Sequence, residues 1–305
     1  MGNVSVVEER IVYRTVEGPA PPPQSLLDQP WRGIDWNNKK KLLEEINRYT
    51  PKHGEKHLRV LVYGPVGAGK SSFINSAASA LYERIYIGAE AHTTDASSRS
   101  HTLKYTTHNI FKDGGYSDEP YPFVFNDVMG MEGGDRLGMH PDDIVMVLKG
   151  HVKEGYKFNP MSPLTDKDHG YNKNPTINDK VHVLVLMLSA DCSDIDPTII
   201  DKMEKIRQTA HDLGIPQIAI GTHVDTLCPE IHKDLQNIYR SKLLYTKIKE
   251  FSKAVGLVEN CIMGVKNYSH ETDTDDNVST LILLALRNMI NYGNDYIRAH
   301  AKSLK

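Results

Sequence analysis

The chain is poor in the residues that would mark several function classes. Its three cysteines, Cys192, Cys228 and Cys261, are odd in number and widely spaced. They form no C-x-x-C pair for zinc or redox chemistry, and a reducing compartment is expected. No excess of one charge stands out either: 36 Lys and Arg face 39 Asp and Glu, a formal net charge of -3. A balance of this kind gives no global basic field, so neither nucleic acid nor an anionic membrane surface is expected as partner. No apolar run approaches a membrane span, and the first residues lack a basic segment followed by an apolar one, so the cytoplasm is the expected location. Gly2 lacks the Ser or Thr that myristoylation wants at position 6, where Val6 stands. What is present, 305 residues with 39% apolar and 25% charged content, suits one large α/β domain with extensions.

One stretch organises the rest. Gly64-Pro65-Val66-Gly67-Ala68-Gly69-Lys70-Ser71 satisfies G-x-x-x-x-G-K-[ST] at every fixed position. The motif works only as a turn from a buried strand into a helix, and both flanks are there. Leu58, Val60, Leu61 and Val62 form a short aliphatic run suited to a central parallel strand. Phe73, Ile74, Ala77, Ala78 and Leu81 follow at helical spacing. Glycines at 64, 67 and 69 let backbone amides turn towards phosphates, and the helix N-terminus adds a favourable dipole. Lys70 is expected to reach the β and γ phosphates, and Ser71 to ligate Mg2+.

Along the chain, residues 1–29 contain Gly18-Pro19-Ala20-Pro21-Pro22-Pro23 and read as an extended, mobile arm. Residues 30–56 form a lead-in, with Leu42, Leu43 and Ile46 on one face of a helix. The main domain runs over 57–300, with a fraying tail at 301–305. After the first helix of that domain comes a Thr, Ser and His-rich stretch in which Thr93 and Thr94 are the candidates for a magnesium-sensing hydroxyl. Residues 103–111 read as an edge strand, followed by a turn at Asp113-Gly114-Gly115.

The apolar strand 122–128 then ends in D-x-x-G, Asp127-Val128-Met129-Gly130. Asp127 is placed to hold Mg2+, and the Gly130 amide to bond a γ-phosphate. Met131 occupies the position where many regulatory GTPases carry a water-orienting Gln, so hydrolysis should be slow or depend on a partner. Arg99, Arg136 and His140 could substitute, and no catalytic residue is assigned. A helix is expected over 142–153 and a long polar loop over 156–179. Strands at 181–188 and 215–221 flank a helix capped by Asp196-Pro197, and a long amphipathic element runs from Ile231 to Gly256.

The strand at 215–221 delivers Thr222-His223-Val224-Asp225, similar to the guanine-reading [NT]-K-x-D motif. Asp225 is the base reader, because a carboxylate accepts two parallel hydrogen bonds from guanine N1–H and its amine, which adenine lacks. His223 replaces the lysine whose stem would pack over the base, so weaker affinity is expected. Lys266-Asn267, directly after the last strand, sits where GTPases touch guanine O6.

Taken with Phe125 to Gly130, Leu148-Lys149-Gly150-His151 and Val265-Lys266-Asn267-Tyr268, the phosphate loop resembles the interferon-induced protein 44 and 44-like family. The resemblance covers residues 30–300, the GTPase-like part, with the short Pro-rich arm where longer members carry a TLDc-type domain. It implies a cytoplasmic, interferon-induced protein of innate antiviral defence that binds GTP, with phosphate contacts from Gly64 through Ser72 and with antiproliferative and microtubule-like assembly behaviour. The expected fold is a P-loop NTPase, a Ras-like doubly wound and mostly parallel sheet with helices on both faces. The expected function is a nucleotide-dependent interaction module binding GTP and Mg2+, meeting protein partners through its switch loops or by self-association. A pseudo-GTPase scaffold and an ATP-using P-loop enzyme are the alternatives.

Overall fold

Six consecutive buried residues, Leu58–Tyr63, form the strand at the centre of the sheet, as a run apolar on both faces requires. The computed structural model describes residues 25–89, 104–128, 130–132, 139–159, 161–192 and 195–303. The Pro-rich stretch at 18–23, Thr93, Thr94, Arg99 and Arg136 lie outside the described residues. In chain order the first half comprises α1 (Lys39–Asn47), β1 (Leu58–Tyr63), α2 (Lys70–Tyr82), β2 (Thr106–Phe111), β3 (Pro120–Asp127) and α3 (Pro141–Leu148). The second comprises β4 (Val183–Ser189), α4 (Pro197–Asp212), β5 (Gln217–Thr222), α5 (Val224–Leu227), α6 (Pro229–Lys233), α7 (Lys242–Val255), β6 (Ile262–Gly264) and α8 (Asp276–Ser303).

The strand order is β2-β3-β1-β4-β5-β6. Every pairing is parallel except that of β2 with β3. This is the P-loop NTPase α/β fold. From β1 the chain passes to the edge strand β2, returns through β3 beside β1, and then crosses to β4 on the other side. The crevice at the carboxyl end of β1, where direction reverses, is where an open sheet of this kind receives a ligand.

Helices cover both faces. On one side α8 packs against α1, α2, β1 and β4; on the other α4 packs against α3 and α7. The apolar stripe of α1 explains its place: Leu42 and Ile46 are buried, each worth about 2 kcal/mol of transfer free energy. Asp196 caps α4 by accepting from the Thr198 amide at 2.8 Å, with Pro197 at the first helical position.

Three expectations are altered. Residues 25–29, read as part of the mobile arm, are tied down: Leu27 N donates to Arg240 O at 2.8 Å and Lys242 N to Ser25 O at 3.1 Å. The segment lies against the turn residues before α7, and Trp31 packs its ring on Tyr239 and Tyr245. Secondly, α3 stops at Leu148 because the amides of Gly150 and His151 bond back to Val147 and Met146. Val152 therefore leaves the helix and pairs with Tyr171 across the long loop. Thirdly, the amphipathic element at 231–256 is broken at Asp234, whose backbone is extended, and at Ser241, whose hydroxyl caps α7. Helical spacing of apolar residues persisted across breaks that the polar caps impose.

Candidate functional site

The phosphate loop is shaped by backbone conformation. Gly64 has φ +150°, and a Cβ there would lie 2.2 Å from the Met187 carbonyl oxygen, so a side chain would push β1 and β4 apart. Gly67 and Gly69 follow in the left-handed region, and Gly69 opens α2. The first amides of α2 have no partners within the helix and sit beside this loop.

Lys70 is 8% exposed and folds back over the loop, its Nζ donating to Gly64 O at 3.2 Å and Pro65 O at 2.9 Å. Burial lowers its pKa from the ordinary lysine value, and the Asp127 charge opposes that change. A desolvated ammonium held only by neutral carbonyls retains strong attraction for an anion.

At the end of β3, Asp127 is 2% exposed. Its Oδ2 accepts from Ser71 Oγ at 2.5 Å, while Oδ1 is buried without a hydrogen-bond partner. A hydroxyl and a carboxylate brought together, with a second carboxylate oxygen unsatisfied, form a hard-oxygen donor set that fits Mg2+. The orphaned Oδ1 is the observation behind that fit, because a buried carboxylate oxygen left alone is costly.

The D-x-x-G segment lies directly on the phosphate loop. Met131 N donates to Gly64 O at 3.0 Å and Val66 N to Met131 O at 3.2 Å. A Cβ on Gly130 would come within 2.6 Å of Val66 Cγ2, so only glycine fits this approach. Met131 is 1% exposed, and its thioether is part of the core rather than the site. His140 is occupied at the start of α3, where its ring accepts from Asp142 N at 3.2 Å.

The base-reading candidates gather at the ends of β5 and β6. Thr222 is fully buried, and its Oγ1 lies 3.0 Å from Ala68 O, which joins the end of β5 to the phosphate loop. Asp225 lies in the first turn of α5 and is half-buried. Lys266 pairs with Glu271 at 2.7 Å, and Asn267 Nδ2 donates to Gly69 O at 3.1 Å. Burial alone would lower the Lys266 pKa, but the hydrogen bond to Glu271 and the Asp225 charge raise it overall. Partial burial likewise opposes ionisation of Glu271; Lys266 and the Ser269 amide outweigh it and bring the carboxyl to about 2. Asn267 Oδ1 is buried without a hydrogen-bond partner.

Phosphate and base candidates are thus brought together, except Thr93 and Thr94, which lie outside the described residues. Glu271 escapes a motif search, since only its contact with Lys266 gives it a place here. A cavity of about 440 Å³ opens beside Ser72 and the loop after β6, lined by Asn75, Tyr86, Tyr268, His270 and Glu271.

No protein-family model matches the chain. Homologues exist among curated proteins. Mouse interferon-induced protein 44 is 30% identical over 263 residues, 84% of this chain and 60% of that protein. The human protein of the same name is 31% identical over 266 residues, 85% of this chain and 57% of that one. Human interferon-induced protein 44-like is 30% identical over 264 residues, 85% and 57% respectively. The resemblance read from the phosphate loop is shown by these relatives, and the chain spans about three-fifths of their length. Similar solved structures include Toc33 from Arabidopsis thaliana in complex with Mg2+ and GMPPNP. It has a TM-score of 0.49 at 13% identity, covering 86% of this chain and 97% of that one. A probable GTP-binding protein engB has a TM-score of 0.38 at 14% identity, covering 79% and 99%.

Proposed function

We propose that the chain is a guanine-nucleotide-binding, GTPase-like module that holds GTP with Mg2+ and acts through nucleotide-dependent protein contacts. By its likeness to the interferon-induced 44 proteins, we assign it to the interferon-induced innate antiviral response in the cytoplasm. The observation that carries the reading is the convergence of Lys70, Ser71 and Asp127 on one glycine loop, with Asp127 Oδ1 unpartnered and buried.

In this reading the loop amides and Lys70 hold the phosphates, while Ser71 and Asp127 hold Mg2+. The ion, when bound, neutralises charge on the β and γ phosphates. Asp225 reads the base through its carboxylate, and the Thr222 contact with Ala68 keeps the base and phosphate ends in register. Lys266 and Asn267 border the same end. Hydrolysis is slow: Met131 is buried at the water-orienting position, and His140 is engaged in its helix cap. A γ-phosphate contact by Gly130 couples nucleotide state to the segment leading into α3, giving protein partners a surface to sense.

A second reading, a scaffold with feeble nucleotide binding, is favoured by one feature: the Val66 amide is already used by Met131 O. Calorimetric titration with GTP, GDP and ATP in Mg2+, on the wild type and Lys70→Ala, decides. Guanine-nucleotide binding that disappears in Lys70→Ala supports the module; no heat with any nucleotide leaves the scaffold. Tight binding of ATP in preference to GTP favours the ATP-using alternative.

A further inference from the structure

A polar cluster at the end of β4 holds the base loop in place, and three of its members, Ser189, Asp191 and Thr226, belong to no recognised nucleotide motif. Ser189, the last residue of β4, donates its hydroxyl proton to Asp191 Oδ1. The same Ser189 Oγ lies 2.8 Å from His223 Nδ1. The other oxygen, Asp191 Oδ2, accepts from Thr226 Oγ1 at 2.6 Å. Asp191 therefore reaches both sides of Asp225, Thr226 directly and His223 through Ser189.

The hydrogen-bond inventory fixes the state of the His223 ring. Thr222 Oγ1 faces Ala68 O at 3.0 Å and Leu188 O at 3.2 Å, carbonyls that only accept, so its proton is committed to them. Ser189 has committed its own proton to the Asp191 carboxylate. Both hydroxyls then offer only lone pairs to His223 Nδ1, at 3.0 and 2.8 Å. The neutral ring must carry its proton on Nδ1, with the Nε2 lone pair free of this network. His223 also adopts φ +55°, a left-handed conformation that costs about 1 kcal/mol for a residue with a Cβ. The network stabilises that conformation.

We propose that Asp191, acting through Ser189 and Thr226, is the positioning residue that fixes loop 222–226 in its guanine-reading shape. It offsets the absence of a lysine at 223, whose stem would otherwise have anchored the loop. This rests on the guanine-nucleotide reading above. Partial burial disfavours the ionised carboxyl of Asp191, yet the hydrogen bonds from Ser189 and Thr226 and the neighbouring His223 hold its pKa below the ordinary carboxylate value. It therefore stays an acceptor at neutral pH.

The test combines two readouts on wild type, Asp191→Ala and Asp191→Asn. In titrations with Mg2+, Asp191→Ala should weaken GTP and GDP by the same factor, about tenfold, and leave ATP unchanged, so the guanine preference narrows. In imidazole nitrogen–proton NMR without nucleotide, wild-type His223 should carry its proton on Nδ1. Removing the carboxylate frees the Ser189 hydroxyl to donate, and the proton should move to Nε2 in Asp191→Ala. Wild-type selectivity with an unchanged Asp191→Ala variant overturns this inference alone. Equal weakening of all three nucleotides, or a ring proton that stays on Nδ1, also overturns it, because each marks a merely structural aspartate. A wild type that binds no GTP overturns the guanine reading and this inference together. Asp191→Asn, which keeps side-chain shape, guards against loss of folding and should fall between the two.

Discussion

The proposed phosphate end and the proposed base end of the site are built by different means. At the phosphate end a single contiguous stretch supplies nearly everything, and one long-range contact, Ser71 to Asp127, completes it. At the base end one motif residue is altered, with His223 in place of the usual lysine. Compensation comes from afar: Ala68 from the phosphate loop, Ser189 at the end of β4, Asp191 just beyond it, and Glu271 beyond β6. Local chemistry built from backbone amides has few substitutes, because only glycine permits the approach. Side-chain hydrogen bonds can be supplied from many positions in a folded sheet, so the base end is freer to diverge.

That contrast can be broken at several points. The largest effect is expected from Lys70→Ala, about 4 kcal/mol on every nucleotide, read by calorimetry with GTP, GDP and ATP. Next comes a change remote from both ends. His182, fully buried before β4, accepts from Arg59 N and donates to Ile177 O, and burial above all pushes its pKa down to about 4. Because the unfolded ring binds its proton first, near pH 6.5, the stability it protects is present above that value and is lost as pH falls towards 4. The loss should reach about 3 kcal/mol, measured by denaturant melts across that window and flattened in His182→Gln. Any acid effect on nucleotide affinity above that window then belongs to the site itself.

Asp225→Ala should cost about 2 kcal/mol for GTP and GDP and nothing for ATP, which separates the base end from the phosphate end in one titration series. Thr222→Val is the mildest. It removes the tie to Ala68 and should weaken guanine nucleotides by about 1 kcal/mol, a change best seen as faster dissociation of a fluorescent GDP analogue in stopped flow.

Much of this was legible in the chain. The aliphatic run at 58–63 and the glycine loop after it specify a buried strand turning into a helix, since no other arrangement satisfies both the apolar surface and the strained glycines. The Asp127 position was legible because a carboxylate ending an apolar strand has few structural uses. The breaks at Asp234 and Ser241 were hidden, since apolar spacing continued through them while the side chains capped new turns. Docking of residues 25–29 was hidden too: the composition of an arm says nothing about which of its backbone amides and carbonyls pair with those at 240 and 242.

Order along the chain fixed the elements and the phosphate loop, because periodicity and glycine sterics act over a few neighbouring residues. Only the folded sheet decided that Asp191, Ser189 and Glu271 meet the residues at the ends of β5 and β6. Asp191, Ser189 and Glu271 are 35, 34 and 5 positions from their partners Thr226, His223 and Lys266 in the chain, whereas their contacts arise where β4, β5 and β6 end side by side. Hydrogen bonding depends on distances of about 3 Å in space, and parallel strands bring distant stretches within that reach.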